Sequence, residues 1–303
     1  MAMTVAAFAP ICVSASPDGL TETAVKRYFL AQADARCHLL SPAAGMAVTA
    51  GYLQARNASI RSSGTMGTLA PWLEQARTAA ANAPCDAPEL RSAAAQAQDA
   101  YRGFVTRPHL DLGGWSGNRA YPDKAAWRLA QYRSAAGADA VLGLYGTLDD
   151  ARFVVMARFT DGARPYSARL LVRNAEVVSS GLINRSPRDV TATAPVGFTP
   201  ATTLGFTARD AADVQVALRP EIHSNDAGFS LTGAYVGKTA ADDAVRFDLP
   251  TAAWRAMAPL DPREDVVVEF DCDDGPRYMR FEVGDFLTGL TFVRLPSPYG
   301  QPI

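Results

Sequence analysis

The sequence predicts an α+β fold, an antiparallel helical bundle followed by an antiparallel β-sandwich or barrel-like region. Three observations predict it. Small and apolar residues recur at three- and four-residue spacing through the first part of the chain. From Ala140 the texture changes to short alternating runs broken by turn residues. The charge balance also changes sign, with 13 Lys+Arg against 9 Asp+Glu over residues 17–137 and 16 against 22 over residues 138–303. The expected division is therefore 1–16 as an export signal or disordered start, 17–137 as the helical bundle and 138–303 as the sandwich.

The first helix, Thr21–His38, carries Val25, Tyr28, Phe29, Ala33 and Cys37 along one stripe. The second is well punctuated, with Ser41 as N-cap, Pro42 at the first helical position and Gly64 after the last turn. A third is expected over Thr68–Ala83, with Leu69, Leu73, Ala76 and Ala80 inward. The fourth opens on Asp86-Ala87-Pro88-Glu89, an Asp version of the capping box, and stops before Pro108. A fifth is read at Asp123–Ala136 from Trp127, Ala130 and Arg133 at three-residue spacing. Alanine dominates the inner stripes, and small side chains let helices approach closely.

In the second part, Ala140–Leu148 and Arg152–Thr160 flank Asp149-Asp150 as a hairpin. Strands are also expected at Ser167–Arg173, Val177–Ile183, Thr203–Ala208, Val214–Pro220, Phe229–Val236, Ala244–Leu249 and Leu290–Leu295. Val266–Cys272 and Pro276–Val283 form a final hairpin, and Thr251–Met257 is the one helical interruption. Cys272 shares a strand face with Val266, Val268 and Phe270 and so belongs to the core.

Composition excludes several classes. Hydrophobic residues make up 48% and charged residues 20%, as in globular domains, and no apolar run reaches the length of a spanning helix. The net charge of −2 and the lack of a basic, aromatic-interleaved stripe argue against nucleic-acid binding. No nucleotide, haem or zinc motif occurs, so no cofactor is implied. The apolar run Thr4–Val13 followed by Val13-Ser14-Ala15 has the form of an export signal, although no Lys or Arg precedes it. Cys37 and Cys85 stand at ends of predicted helices. A bridge between them would close a loop of about 50 residues and contribute about 3–4 kcal/mol. The alternative is two buried thiols.

Two stretches look like sites. Arg107–Lys124 holds His109, Asp111 and Ser116 among glycines. It fails as a nucleophile elbow, because Asn118 replaces the last glycine and a helix precedes the loop. As a binding loop it offers Arg107, Trp115, Arg119 and Tyr121; its other reading is a plain connection. Glu269, Asp271 and Asp273 alternate on one strand face and are the Ca²⁺ candidates, against a simple charged hairpin neutralised by Arg277 and Arg280. His38 and His223 show no metal spacing.

The functional expectation is an exported, non-catalytic binding or assembly protein of the periplasm or cell surface, with a protein or glycan partner. The alternative is a hydrolase or glycan-active enzyme sited between the two parts, using His109, Asp111 and Asp271. A cluster of acids, or a His–acid pair with shifted pKa, in that cleft would favour the enzyme.

Overall fold

In a computed structural model the chain is described over residues 19–63, 65–183, 188–209, 211–216, 218, 222–225, 228–231 and 242–299. The expected leader, Cys12 and the expected helix stop at Gly64 lie outside the described residues.

Four helices come first: α1 (Gly19–Cys37), α2 (Pro42–Ser63), α3 (Met66–Asn82) and α4 (Pro88–Val105). Ser41 Oγ accepts from the Ala44 N–H at 3.3 Å, so it caps α2 as its sequence predicts. The capping box at Asp86 does not form. Ala87 is the N-cap of α4 without a side-chain bond, and Pro88, which needs no N–H partner, starts the helix instead. Small residues do bring the helices close. Ala44, Ala47, Ala50 and Ala55 are buried along α2, and a Cβ on Gly51 would stand 1.9 Å from the Tyr101 hydroxyl oxygen. A disulfide joins Cys37 at the end of α1 to Cys85 before α4, with Cα atoms 5.4 Å apart. The sequence separation of 48 corresponds to about 4 kcal/mol of loop-closure stabilisation.

The change from helix to strand falls at His109 and not near Gly137. A seven-stranded antiparallel sheet runs in the order β1 (His109–Asp111), β2 (Ser116–Asn118), β3 (Ala126–Ala135), β4 (Ala138–Gly146), β5 (Arg152–Phe159), β11 (Asp242–Asp248), β8 (Ala211–Val216). A four-stranded antiparallel sheet runs β13 (Gly275–Glu282), β12 (Asp265–Cys272), β6 (Pro165–Arg173), β7 (Thr203–Thr207). β9 (Ile222–Asn225) and β10 (Gly228–Leu231) pair with each other. The two larger sheets pack together, and among the described residues neither closes into a barrel. Their shared core alternates as strand geometry requires. Ala140, Leu142, Val155 and Ala157 come from one sheet, and Leu170, Val172, Val266, Val268, Phe270 and Cys272 from the other. Helices α5 (Thr251–Met257) and α6 (Phe286–Val293) add Met257, Phe286, Leu290 and Phe292.

Three expected elements differ. The fifth helix is β3, and the cause is a bulge. Its pairing with β4 shifts between Trp127 and Leu129, so Trp127 and Ala130 meet one apolar cluster while Leu129 joins the other. A three-residue spacing on one face therefore arises in a strand. Leu290–Leu295, read as a strand, belongs largely to α6; buried on nearly every side, it lacks the amphipathic period that would mark it as helical. Val177–Ile183 forms turns and irregular chain. Arg173 and Glu264 take its polar backbone groups: Arg173 Nη1 donates to Val178 O, and Leu182 N donates to Glu264 Oε2 at 3.2 Å.

Candidate functional site

The Arg107–Lys124 stretch turns inward. Trp115 is fully buried; its Nε1–H is shared between the carbonyls of Glu282 and Val283, each at 3.0 Å, and its ring lies 5.0 Å from that of Phe286. Arg119 is also fully buried and has no acid partner among the described residues. It donates to the carbonyls of Val105 (3.0 Å), Arg107 (3.1 Å) and Pro296, and lies over the Phe292 ring at 5.0 Å. It thereby collects carbonyls that the end of α4 leaves open. Burial pushes its pKa down to about 10, which still leaves it a cation at neutral pH. Arg128 does the same for the turn before β3, donating to the carbonyls of Ala120 (2.7 Å) and Tyr121 (3.0 Å), and also to that of Gly146 (2.9 Å) at the end of β4. Arg107 and Tyr121 are exposed while Trp115 and Arg119 are interior, so the four expected contact residues form no common surface.

The expected catalytic trio does not assemble around a reacting point. His109 begins β1, opposite Asn118; burial lowers its pKa and keeps it neutral, and its Nδ1 has no partner among the described residues. Asp111 is exposed, and its carboxylate accepts the Gly113 N–H at 3.0 Å. Asp271 belongs to the other sheet, opposite Ser167 and Pro276. Ser116 pairs in β2 with Asp111. The Ca²⁺ candidates also diverge. Glu269 is held by Arg169 at 2.5 Å and by the Tyr278 hydroxyl at 2.7 Å, and Asp273 is exposed beyond the end of β12. Among the described residues no group of three His, Cys, Asp or Glu side chains could hold a metal ion. His38 has φ of 52° after α1, and His223 lies in β9.

What the structure does bring together is a buried ionic cluster between the helices and the β-region. Asp265 is fully buried and meets Arg188 at 2.9 Å and Arg280 at 3.2 Å. Arg188 also reaches Glu282 at 3.3 Å. On the helical side, Asn57 and Arg61 of α2 bond the Asp285 carboxylate at 2.8 and 2.9 Å. Each acid is answered by a guanidinium or amide, so the cluster joins parts of the fold and leaves no carboxylate free to act as a base.

Burial raises the pKa of Asp265 above its ordinary 3.8, against the lowering pull of Arg188, Arg280 and Arg133. A folded-state pKa above the unfolded one means that the native state binds this proton more tightly. The resulting stability is present at low pH and is lost as pH rises through the folded value. Wild type should therefore gain stability relative to Asp265→Asn as pH falls from 7 towards 4. Urea midpoints of both proteins at the two pH values measure this; a gap moving in favour of the variant would show that the arginines outweigh burial.

A cleft of about 960 Å³ lies elsewhere, between the β4–β5 turn, the β11–α5 connection and the chain after α6. Arg152, Arg209 and Arg294 line it and are exposed, with Trp254 at its wall and Arg294 over the Trp254 ring at 4.9 Å. Asp248, also in the lining, is held by the Arg246 fork at 2.6 and 3.2 Å and lies 3.6 Å from Arg152. Among the described residues the lining holds no imidazole and no thiol. Sequence reading missed this cleft because its residues are scattered from Pro122 to Ser297 and no spacing links them. No helix among the described residues is long and apolar enough to cross a membrane. Comparison with protein-family models, with curated proteins and with solved structures finds no match to this chain.

Proposed function

We propose that the protein is a non-catalytic binding protein of an oxidising, extracytoplasmic compartment, and that the cleft beside Trp254 is where it holds its ligand. The observation that carries the reading is the cleft itself. It has the volume of a small-molecule site, it presents several polar groups to solvent, and its Asp248 carboxylate is engaged by arginines. The Cys37–Cys85 disulfide supports the compartment, since such bonds persist where thiols are not kept reduced.

A thermal-shift series on the oxidised protein tests this, using neutral sugars, amino acids, carboxylic acids and organic phosphates. Thr251→Trp, an exposed lining position, serves as the variant that fills the cleft. At least one compound should raise the wild-type Tm by several degrees, lose that effect in Thr251→Trp, and be recovered chemically unchanged. No shift with any compound, an equal shift in the variant, or conversion of the compound would each overturn the reading.

A further inference from the structure

We propose that the cleft takes the oxyanion group of a small organic anion, a carboxylate, phosphate or sulfate, gripped by Arg209 and Arg294 with Arg152 beside them. This rests on the binding role just described and narrows it to a ligand class.

The inference follows from which charges are already used. Arg128 lines the inner wall, but its donors go to backbone carbonyls. Asp248 receives the Arg246 fork, so its negative charge is answered from outside the lining. Arg209 and Arg294 are exposed and pair with no carboxylate among the described residues. With Arg246 counted, five guanidiniums stand against the three carboxylates Asp123, Asp149 and Asp248.

Position adds to charge. Arg294 lies 4.9 Å over the Trp254 ring, and stacking holds a guanidinium by its face while its N–H donors stay available in the plane. A held, unsatisfied fork suits two oxygens of a carboxylate or phosphate. The Arg209 backbone is fixed as well, its N–H donating to the Asp248 carbonyl at 3.0 Å. Two arginines anchored on separate segments thus face one space. The exposed Asp123 and Asp149 in the same lining disfavour a ligand that is anionic throughout and favour one whose remainder is neutral.

Isothermal titration with glucose, glucuronate, glucose 6-phosphate, inorganic phosphate and inorganic sulfate tests the proposal on wild type, Arg209→Ala/Arg294→Ala and Thr251→Trp. One or both charged sugars should bind at least about tenfold more tightly than glucose, and should weaken at least about tenfold in the double arginine variant and as salt is raised. The two charged sugars then separate carboxylate from phosphate chemistry. Glucose binding as tightly as its anions, or an unchanged affinity in the double variant, would overturn the anion class while leaving the cleft as a binding site, provided that Thr251→Trp still abolishes binding. Inorganic phosphate or sulfate binding as tightly as the sugars would overturn the organic ligand. If nothing binds here but a neutral compound succeeds in the thermal series, the anion proposal alone falls; failure in both experiments removes both.

Discussion

Trp115→Ala is expected to lower the unfolding free energy by about 3–5 kcal/mol, the range for deleting a large buried aromatic side chain. Two losses add. The space occupied by a fully buried indole empties beside Phe286, and the carbonyls of Glu282 and Val283 lose their shared donor. Neighbouring chain is poorly placed to collapse into the gap, because Gly284, with φ of 51°, already packs at the edge of the indole. Trp115→Phe should recover part of the loss, keeping ring contact without the N–H. Urea unfolding measures both. A change within about 0.5 kcal/mol would be the result for a solvent-facing contact residue and would contradict the buried placement.

Glu264→Ala is expected to cost a similar amount, about 3–5 kcal/mol, by stranding a buried charge. Glu264 is fully buried and holds Arg173 in a fork at 2.6 and 2.9 Å, while its oxygens also accept the backbone N–H groups of Leu182 and Asp261. The Glu264 hydrogen bond is the main cause that raises the Arg173 pKa, so removing it leaves a buried cation without the carboxylate that holds its fork, and two backbone donors without that acceptor. Replacing both partners with apolar groups, as in Arg173→Met/Glu264→Leu, should restore much of the stability, since the stranded charge is then gone. Denaturation midpoints of the single and double variants decide it. A single variant as stable as wild type would mean that the pair is not formed in solution.

The legible and illegible parts of this chain divide along physical lines. Ser41-Pro42 marks a helix start because capping depends on adjacent residues alone, and the hairpin at Asp149-Asp150 is equally local. Thr251–Met257 reads correctly for the same reason. Where a residue's partner is distant, reading fails. Trp115 and Arg119 resemble loop contacts because nothing nearby in sequence shows that Val283 and Pro296 will receive them. In Arg-Glu-Asp at 263–265 nothing local marks burial, yet Glu264 and Asp265 are interior, neutralised by arginines that lie 77 to 91 positions earlier. Trp127 misleads through a bulge that gives a strand a helical interval. The cleft had no signal at all, since Arg152, Arg209, Trp254 and Arg294 meet only after the sheets have formed.

The bond between Asn57 and Asp285 spans 228 positions and fastens the second helix to the cap of the last one. A chain leaving the ribosome makes the first of these helices and must add a further 228 positions from Asn57 before its partner Asp285 exists. Closing so long a loop costs more than closing a short one, although only by about 0.6 kcal/mol per doubling. The larger consequence is kinetic: nascent copies keep greasy surface of the second helix uncovered until residues 285–293 have emerged, and a copy truncated before residue 285 lacks the element that covers it.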